Sequence, residues 1–177
     1  YLHRGKYEQD ALVASSKIIG RTTWDKACAH FIAPESRYYF CNENLRSVFY
    51  DGSQWEYEKC NKYQIAISQA GYPIKGLHKV IEAVALLCNE FPDIKVKVGG
   101  ANIFGGNWIK GNSYGIYIRQ LLKKYNLQDQ FEFEGFLSAE KMKRLLLESN
   151  VFVCPSSIEN SPNSLGEAMI LGVPCVA

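Results

Sequence analysis

From residue 63 the apolar positions switch between two periods. Tyr63-Gln64-Ile65-Ala66-Ile67-Ser68 is a short, β-rich run that predicts a strand, and Leu77, Val80, Ile81, Val84 and Leu87 then keep helical spacing as far as Phe91. Ile94 to Val98 predicts a second strand, ended by Gly99-Gly100. A long Gly- and Asn-rich loop over 101–113 follows, and then a helix from Ile116 to Leu127. Phe131-Glu132-Phe133 reads as a third strand closed by Gly135. Ser138 reads as the cap of a helix whose Met142, Leu145 and Leu146 face inward. Val151 to Cys154 is a fourth strand, too short for a helix. Ser161-Pro162 reads as N-cap and first position of a helix that Gly172 ends, and Pro174 to Ala177 restarts a strand.

Residues 1–62 have a different texture. The spacing there predicts a helix from Glu8 to Ile19 and a second capped by Thr23 and running through Ala33. It also predicts an aromatic strand over Arg37–Cys41, a short helix from Glu43 to Tyr50 capped by Asn42, and a loop over 51–62. The organisation expected is therefore a lead-in segment 1–62, mainly helical with one short strand. A Rossmann-like α/β domain follows over 63–177, cut short at its C-terminus.

Strand–helix alternation through five strands predicts a doubly wound parallel sheet, with strand order 3-2-1-4-5. In such sheets ligands bind beyond the carboxyl ends of the strands, where the order reverses. That puts residues 69–75 and 156–164 on two sides of one crevice.

Composition narrows the classes. Twenty Lys and Arg against 18 Asp and Glu give a net charge of +2, with no basic run to argue for nucleic acid. The six cysteines form no C-x-x-C pair; Cys88, Cys154 and Cys175 sit in apolar runs and fit small core residues in a reduced, cytoplasmic setting. The three histidines are scattered, no Asp-x-Asp pair occurs, and no metal site is expected. No apolar run is long enough for a transmembrane helix, no signal peptide is visible, and the absence of an initial Met suggests a piece of a longer protein.

The stretch from Val151 to Ala177 carries the chemistry. Glu159 and Glu167 bracket a loop and helix start that also hold Asn160, Ser161, Asn163 and Ser164. A helix N-terminus suits phosphate, whereas carboxylates suit hydroxyl donors. Sugar hydroxyl, diphosphate and ribose diol together outline a nucleotide sugar. At the end of the first strand stands Tyr72-Pro73-Ile74-Lys75-Gly76-Leu77. A cation at a helix start is electrostatically disfavoured, so a lysine at position 75 needs a reason. Within ~4 Å of a phosphate it gains up to about 4 kcal/mol at an effective dielectric of 20.

Glu159, seven residues, Glu167-Ala168-Met169 and then Gly172-Val173-Pro174 resemble the E-x7-E signature of retaining GT-B glycosyltransferases. The resemblance is to the large family-four group that includes capsule and lipopolysaccharide sugar transferases. Gly20-Arg21-Thr22-Thr23-Trp24-Asp25 and Cys41-Asn42-Glu43-Asn44-Leu45-Arg46 are similar to the lead-in of bacterial capsule-type members.

The resemblance implies a metal-independent, cofactor-free transfer from a UDP- or GDP-sugar to a glycan or lipid-linked acceptor in surface polysaccharide or glycan synthesis. It implies that Lys75, beside Gly76, contacts the donor diphosphate, and that Glu159 lies near the donor sugar. Glu167 would bind the ribose hydroxyls, with Ser161 in the donor loop. The amides of Asn163 and Ser164 would hold the distal phosphate, and Gly135-Phe136 would border the nucleobase. Lys75 and Glu159 are the residues expected to serve catalysis. The family's usual arginine six residues before the lysine is here Gln69. Either Gln69 hydrogen-bonds to the donor in its place, or a cation such as Arg21 substitutes. The acceptor site is expected in an N-terminal domain of the same protein, so this chain is expected to bind donor and transfer nothing alone. In the full protein a peripheral place at the inner membrane face is expected. The alternatives are a GT-B isomerase or phosphorylase, which would consume donor without an acceptor, and a non-catalytic nucleotide-binding domain. A dinucleotide oxidoreductase would need a glycine fingerprint at the first turn, which residues 69–76 lack.

Overall fold

The computed structural model describes residues 2–104 and 113–177, in two compact units. Tyr1–Asn44 with Asn160–Pro162 form one unit; Leu45–Glu159 with Asn163–Ala177 form the other. The division falls after residue 44 rather than after 62. The reason is that 45–60 is part of the second unit's core: Phe49 is fully buried there, the Trp55 N–H donates to the Leu171 carbonyl at 2.7 Å, and the Trp55 indole donates to the Ser149 carbonyl at 2.8 Å.

The first unit runs α1 (Leu2–Ala14), β1 (Lys17–Gly20), α2 (Thr23–Ile32) and β2 (Arg37–Phe40). β1 and β2 pair in parallel, Lys17 opposite Arg37 and Gly20 opposite Phe40. There are thus two strands here, not one. The helix expected over 8–19 ends at Ala14, and Lys17-Ile-Ile-Gly20 is extended. Thr22, not Thr23, caps α2. Its hydroxyl accepts from the Asp25 N–H, and the Asp25 carboxylate accepts from the Thr22 N–H, a complete capping box. The Tyr38 hydroxyl also donates to Asp25 and is the largest cause holding that carboxyl far below its usual range. Burial, with Asp25 beside it, pushes the Tyr38 phenol up to about 12. Asn160 belongs to this network: its amide donates to Asp25 at 3.1 Å, its side-chain oxygen accepts from the Thr22 hydroxyl at 2.6 Å, and its carbonyl accepts from Arg21 at 2.9 Å.

The second unit opens with a 3-10 turn, Ser47–Tyr50, where a helix from Glu43 was expected. It continues with β3 (Asn61–Ile67), α3 (Leu77–Leu87), β4 (Lys95–Gly99), α4 (Ser113–Tyr125), β5 (Phe131–Gly135), α5 (Ala139–Leu147), β6 (Ser149–Val153), α6 (Asn163–Ile170) and β7 (Cys175–Val176). All five strands are parallel, in the order β5-β4-β3-β6-β7. Counted within the sheet this is 3-2-1-4-5, as the alternation predicts. The fold is α/β with a doubly wound parallel sheet. Of the expected loop over 101–113, residues 105–112 lie outside the described residues.

The pleat sends alternate residues to opposite faces, which divides the core in two. Ile67, Val96 and Val98 pack with Leu77, Ile81 and Val84 of α3 and Ile118, Leu121 and Leu122 of α4. Ala66 and Phe152 pack on the other face with Met142, Leu145 and Leu146 of α5, Ala168 of α6, and Phe49. Ser138 caps α5 as expected, accepting from the Lys141 N–H. Buried Lys143 donates to the Val48 carbonyl at 3.0 Å and pairs with Asp51, which fastens the 45–51 segment to this face. Cys88 packs against the first core, and Cys154 and Cys175 against the second; all six cysteines are free thiols. Among the described residues no helix is long and apolar enough to cross a membrane.

Candidate functional site

The order reverses between β3 and β6, and the loops leaving their carboxyl ends are joined there. After β3 the chain makes a 3-10 turn, Pro73–Lys75, and then Gly76, with φ 71°, opens α3. After β6 comes Pro155, and the Ser157 N–H donates to the Ile74 carbonyl at 2.9 Å. Gly76 is needed twice over. Its backbone is left-handed, and a β-carbon there would lie 2.7 Å from the Pro155 carbonyl carbon and overlap its oxygen.

This closure brings Lys75 to Glu159, and the two form an ion pair in which each side chain keeps about a quarter of its surface exposed. Burial raises the Glu159 pKa, but hydrogen bonds from Lys75 and Ser156 outweigh it and hold the carboxyl below its usual value. The anionic partner that a lysine at a helix start requires is therefore, in the protein alone, Glu159.

α6 starts at Asn163, one residue later than expected. Ser161 is not its N-cap: its φ of 60° lies in the left-handed region, whereas an N-cap needs extended backbone. Ser161 groups with the first unit, while Asn163 and Ser164 open α6 in the second. Eight residues from Glu159, Glu167 has its side chain only 3% exposed, on the inner face of α6. Its two oxygens accept separate bonds from Arg46, Nε to Oε1 at 2.7 Å and Nη2 to Oε2 at 2.8 Å. Arg46 stacks over the Phe49 ring at 5.1 Å, and its pKa is raised chiefly by the hydrogen bond to Glu167. Next to it, the Leu45 side chain packs on Gly166, where a β-carbon would lie 3.3 Å from both Leu45 methyls.

Of the remaining candidates, Gln69 follows β3 and Gly135-Phe136 close β5 at the carboxyl edge of the sheet, while Arg21 belongs to the first unit. Gln69 is exposed and lies against Gly100, where a β-carbon would stand 3.1 Å from the Gln69 Cα. Gly100 donates to the Gly135 carbonyl at 2.8 Å, which links the turns after β4 and β5. Phe136 is 84% exposed, so it is not a core residue and its ring is free to be covered. Arg21, the other candidate to stand in for the expected arginine, pairs with Glu43 within the first unit.

Of the expected residues, the strand ends bring Lys75 to Glu159 and Gly76 to Pro155; the pairing of Glu167 with Arg46 was not expected. The signal for Arg46 was present: it closes the Cys41–Arg46 motif, although nothing in the spacing connected that motif with Glu167.

Residues 53–177 match the family described as "Glycosyl transferases group 1". The chain is 31% identical over 109 residues to a provisionally named colanic acid biosynthesis glycosyltransferase, WcaL, of Escherichia coli K12, across 58% of this chain and 24% of that protein. It is 32% identical over 106 residues to a provisionally named glycosyltransferase, YtcC, of Bacillus subtilis 168, across 59% of this chain and 25% of that one. The chain therefore spans about a quarter of the length of the curated relatives it matches. Among solved structures, sucrose-phosphate synthase from Thermosynechococcus elongatus superposes with TM-score 0.77 at 18% identity, over 99% of this chain and 43% of that one. Anabaena Alr3699/HepE in complex with UDP and glucose does so with TM-score 0.71 at 18% identity, over 92% and 44%. At these identities the superpositions establish the fold.

Proposed function

We propose that this chain, which belongs to the Glycosyl transferases group 1 family, supplies the donor half of a retaining, metal-independent glycosyltransferase of the family-four type. The donor is a UDP- or GDP-sugar, and the product belongs to surface polysaccharide or glycan synthesis. The observation that carries the reading is the Lys75–Glu159 pair at the reversal of strand order, held by Gly76 against Pro155.

In glycosyl transfer the bond from the anomeric carbon to the diphosphate oxygen breaks, and the electron pair leaves with the nucleoside diphosphate. Charge therefore builds on the distal phosphate. A preorganised cation and helix N-terminal amides stabilise that charge with no cost of reorganisation. The start of α6 at Asn163 and Ser164 offers such amides, and Lys75 adds its charge on leaving Glu159, so the reading needs no metal. When Lys75 turns to the diphosphate, Glu159 is released to accept from donor-sugar hydroxyls. Glu167 takes the ribose hydroxyls, Gln69 donates to the diphosphate in place of the family's arginine, and Phe136 covers the base beside Gly135. The acceptor and the cytoplasmic, membrane-face setting belong to the whole protein. The free thiols fit a reduced setting, and the likeness to WcaL, named for colanic acid biosynthesis, supports the polysaccharide reading.

Titration calorimetry of the chain with UDP-glucose, GDP-mannose and ADP-glucose in excess chelator tests the reading. Saturable binding of one of the first two, unchanged by Mg²⁺, is the expected result. Binding that appears only with added metal, or no binding of any nucleotide, contradicts it.

A further inference from the structure

Glu167 presents a physical problem that its spacing from Glu159 does not solve. A carboxylate with 3% exposure has lost nearly all of its water, and a buried charge must be paired or it is costly. The pairing it has is specific. Nε and Nη2 of Arg46 take one oxygen each, a side-on bidentate fork that fixes both the plane and the position of the carboxylate. Arg46 is itself fixed, with its guanidinium over the Phe49 ring, Phe49 fully buried, and Leu45 wedged on Gly166 one residue before Glu167. The 45–49 segment is thereby a support built against one turn of α6. Each carboxylate oxygen has two lone-pair sites, so the fork uses half of the acceptor capacity and leaves one site on each oxygen. Two sites held at fixed separation suit a vicinal diol.

We propose that Arg46 is a positioning residue for nucleotide recognition: it holds the plane and position of the Glu167 carboxylate so that it reads the ribose 2′- and 3′-hydroxyls. The proposal rests on the reading of Glu167 given above. It assigns the Cys41–Arg46 motif's last residue to selection of ribonucleotides over deoxyribonucleotides. A lysine in its place keeps the charge but is a point donor and cannot make the fork.

The test is the affinity ratio between ribo- and 2′-deoxynucleotide, measured by calorimetry for UDP against 2′-deoxy-UDP and GDP against 2′-deoxy-GDP. It is run on the unsubstituted chain and on Glu167→Gln, Arg46→Lys and Arg46→Ala, with melting temperatures recorded for each. Loss of one hydrogen bond to a charged group corresponds to roughly 10- to 150-fold, so the unsubstituted chain is expected to prefer the ribonucleotide by about 10-fold or more. Glu167→Gln and both Arg46 variants are expected to bring the ratio to within about 3-fold of unity. Arg46→Lys, which keeps the buried carboxylate compensated, carries the test if Arg46→Ala does not fold.

A purely structural role would lower the melting temperature and weaken both nucleotides equally; an unchanged ratio in Arg46→Lys therefore overturns the proposal. So does tighter ribonucleotide binding in an Arg46 variant, which would make Arg46 a cover over Glu167 rather than its support. A ratio near unity in the unsubstituted chain is a different failure: it removes the ribose role of Glu167, and the proposal with it.

Discussion

Lys75→Ala is expected to weaken UDP or GDP binding by roughly 10- to 150-fold, the equivalent of the ~1.5–3 kcal/mol of a hydrogen bond to a charged group. Two effects act together. The cation is lost from the phosphate side of the crevice, and Glu159 is left without its partner at a place where a dianion must bind. The second effect separates this residue from an ordinary surface lysine, since an unscreened carboxylate repels the ligand. Uridine and guanosine carry no phosphate, so their affinities are expected to be unchanged. Stability is expected to shift by less than ~1 kcal/mol, because a partly exposed ion pair contributes little. Calorimetry with nucleoside and nucleoside diphosphate on the same preparation reads both. Equal loss for the two ligands would assign Lys75 a structural role instead.

The larger effect on the fold is expected from Gly76→Ala. A non-glycine residue in the left-handed region costs roughly 1–2 kcal/mol, and forcing an extra methyl into a packed site typically costs ~1–3 kcal/mol. Here the added carbon overlaps the Pro155 carbonyl, which is backbone and cannot rotate away. A loss of about 2–5 kcal/mol is expected, which for a chain of this size lowers Tm by roughly 5–15 °C. Because relief of the clash separates the two loops, Lys75 and Glu159 part and nucleotide affinity falls as well. Gly135→Ala is the control. Its φ of 69° carries the same backbone strain, but nothing lies within 4 Å of the added carbon, so only the first cost applies. Equal Tm losses in the two variants would show that the contact with Pro155 carries no stability.

The sheet and its order were legible because the second unit alternates periods without ambiguity. Runs such as Ile65–Ile67 and Val151–Val153 are too short for helices, and Leu77, Val80, Ile81 and Val84 are spaced for nothing else. Once the order is known, the placing of residues 69–75 and 156–164 on one crevice follows, but the Lys75–Glu159 ion pair does not, since the sequence pairs the lysine with phosphate and the glutamate with hydroxyls. The first 60 residues were read less well for physical reasons. Lys17–Gly20 is a four-residue strand whose apolar pair also continues the helical spacing of Ala11 and Leu12, so the period did not mark its start. Either Thr22 or Thr23 fits a cap, and only the geometry of Asp25 decides between them. Ser161-Pro162 has the composition of a helix start, but hydrogen bonds to Asn160 from Arg21 and Thr22 engage the loop, and Ser161 turns left-handed before the helix begins. The Arg46–Glu167 fork joins residues 121 positions apart and leaves no local pattern.

The most direct measurement of the central claim is amide mapping by NMR: the ¹⁵N-labelled chain titrated with UDP-glucose and with GDP-mannose. Shifts are expected for one of the two, saturating together at Gly76, Asn163 and Ser164, with Gly135 and Phe136 following as the base is covered. Saturable shifts confined elsewhere, such as the ~450 Å³ hollow beside Lys59, Lys143 and Arg144, or no shift with either sugar nucleotide, would contradict a donor site at the junction of β3 and β6.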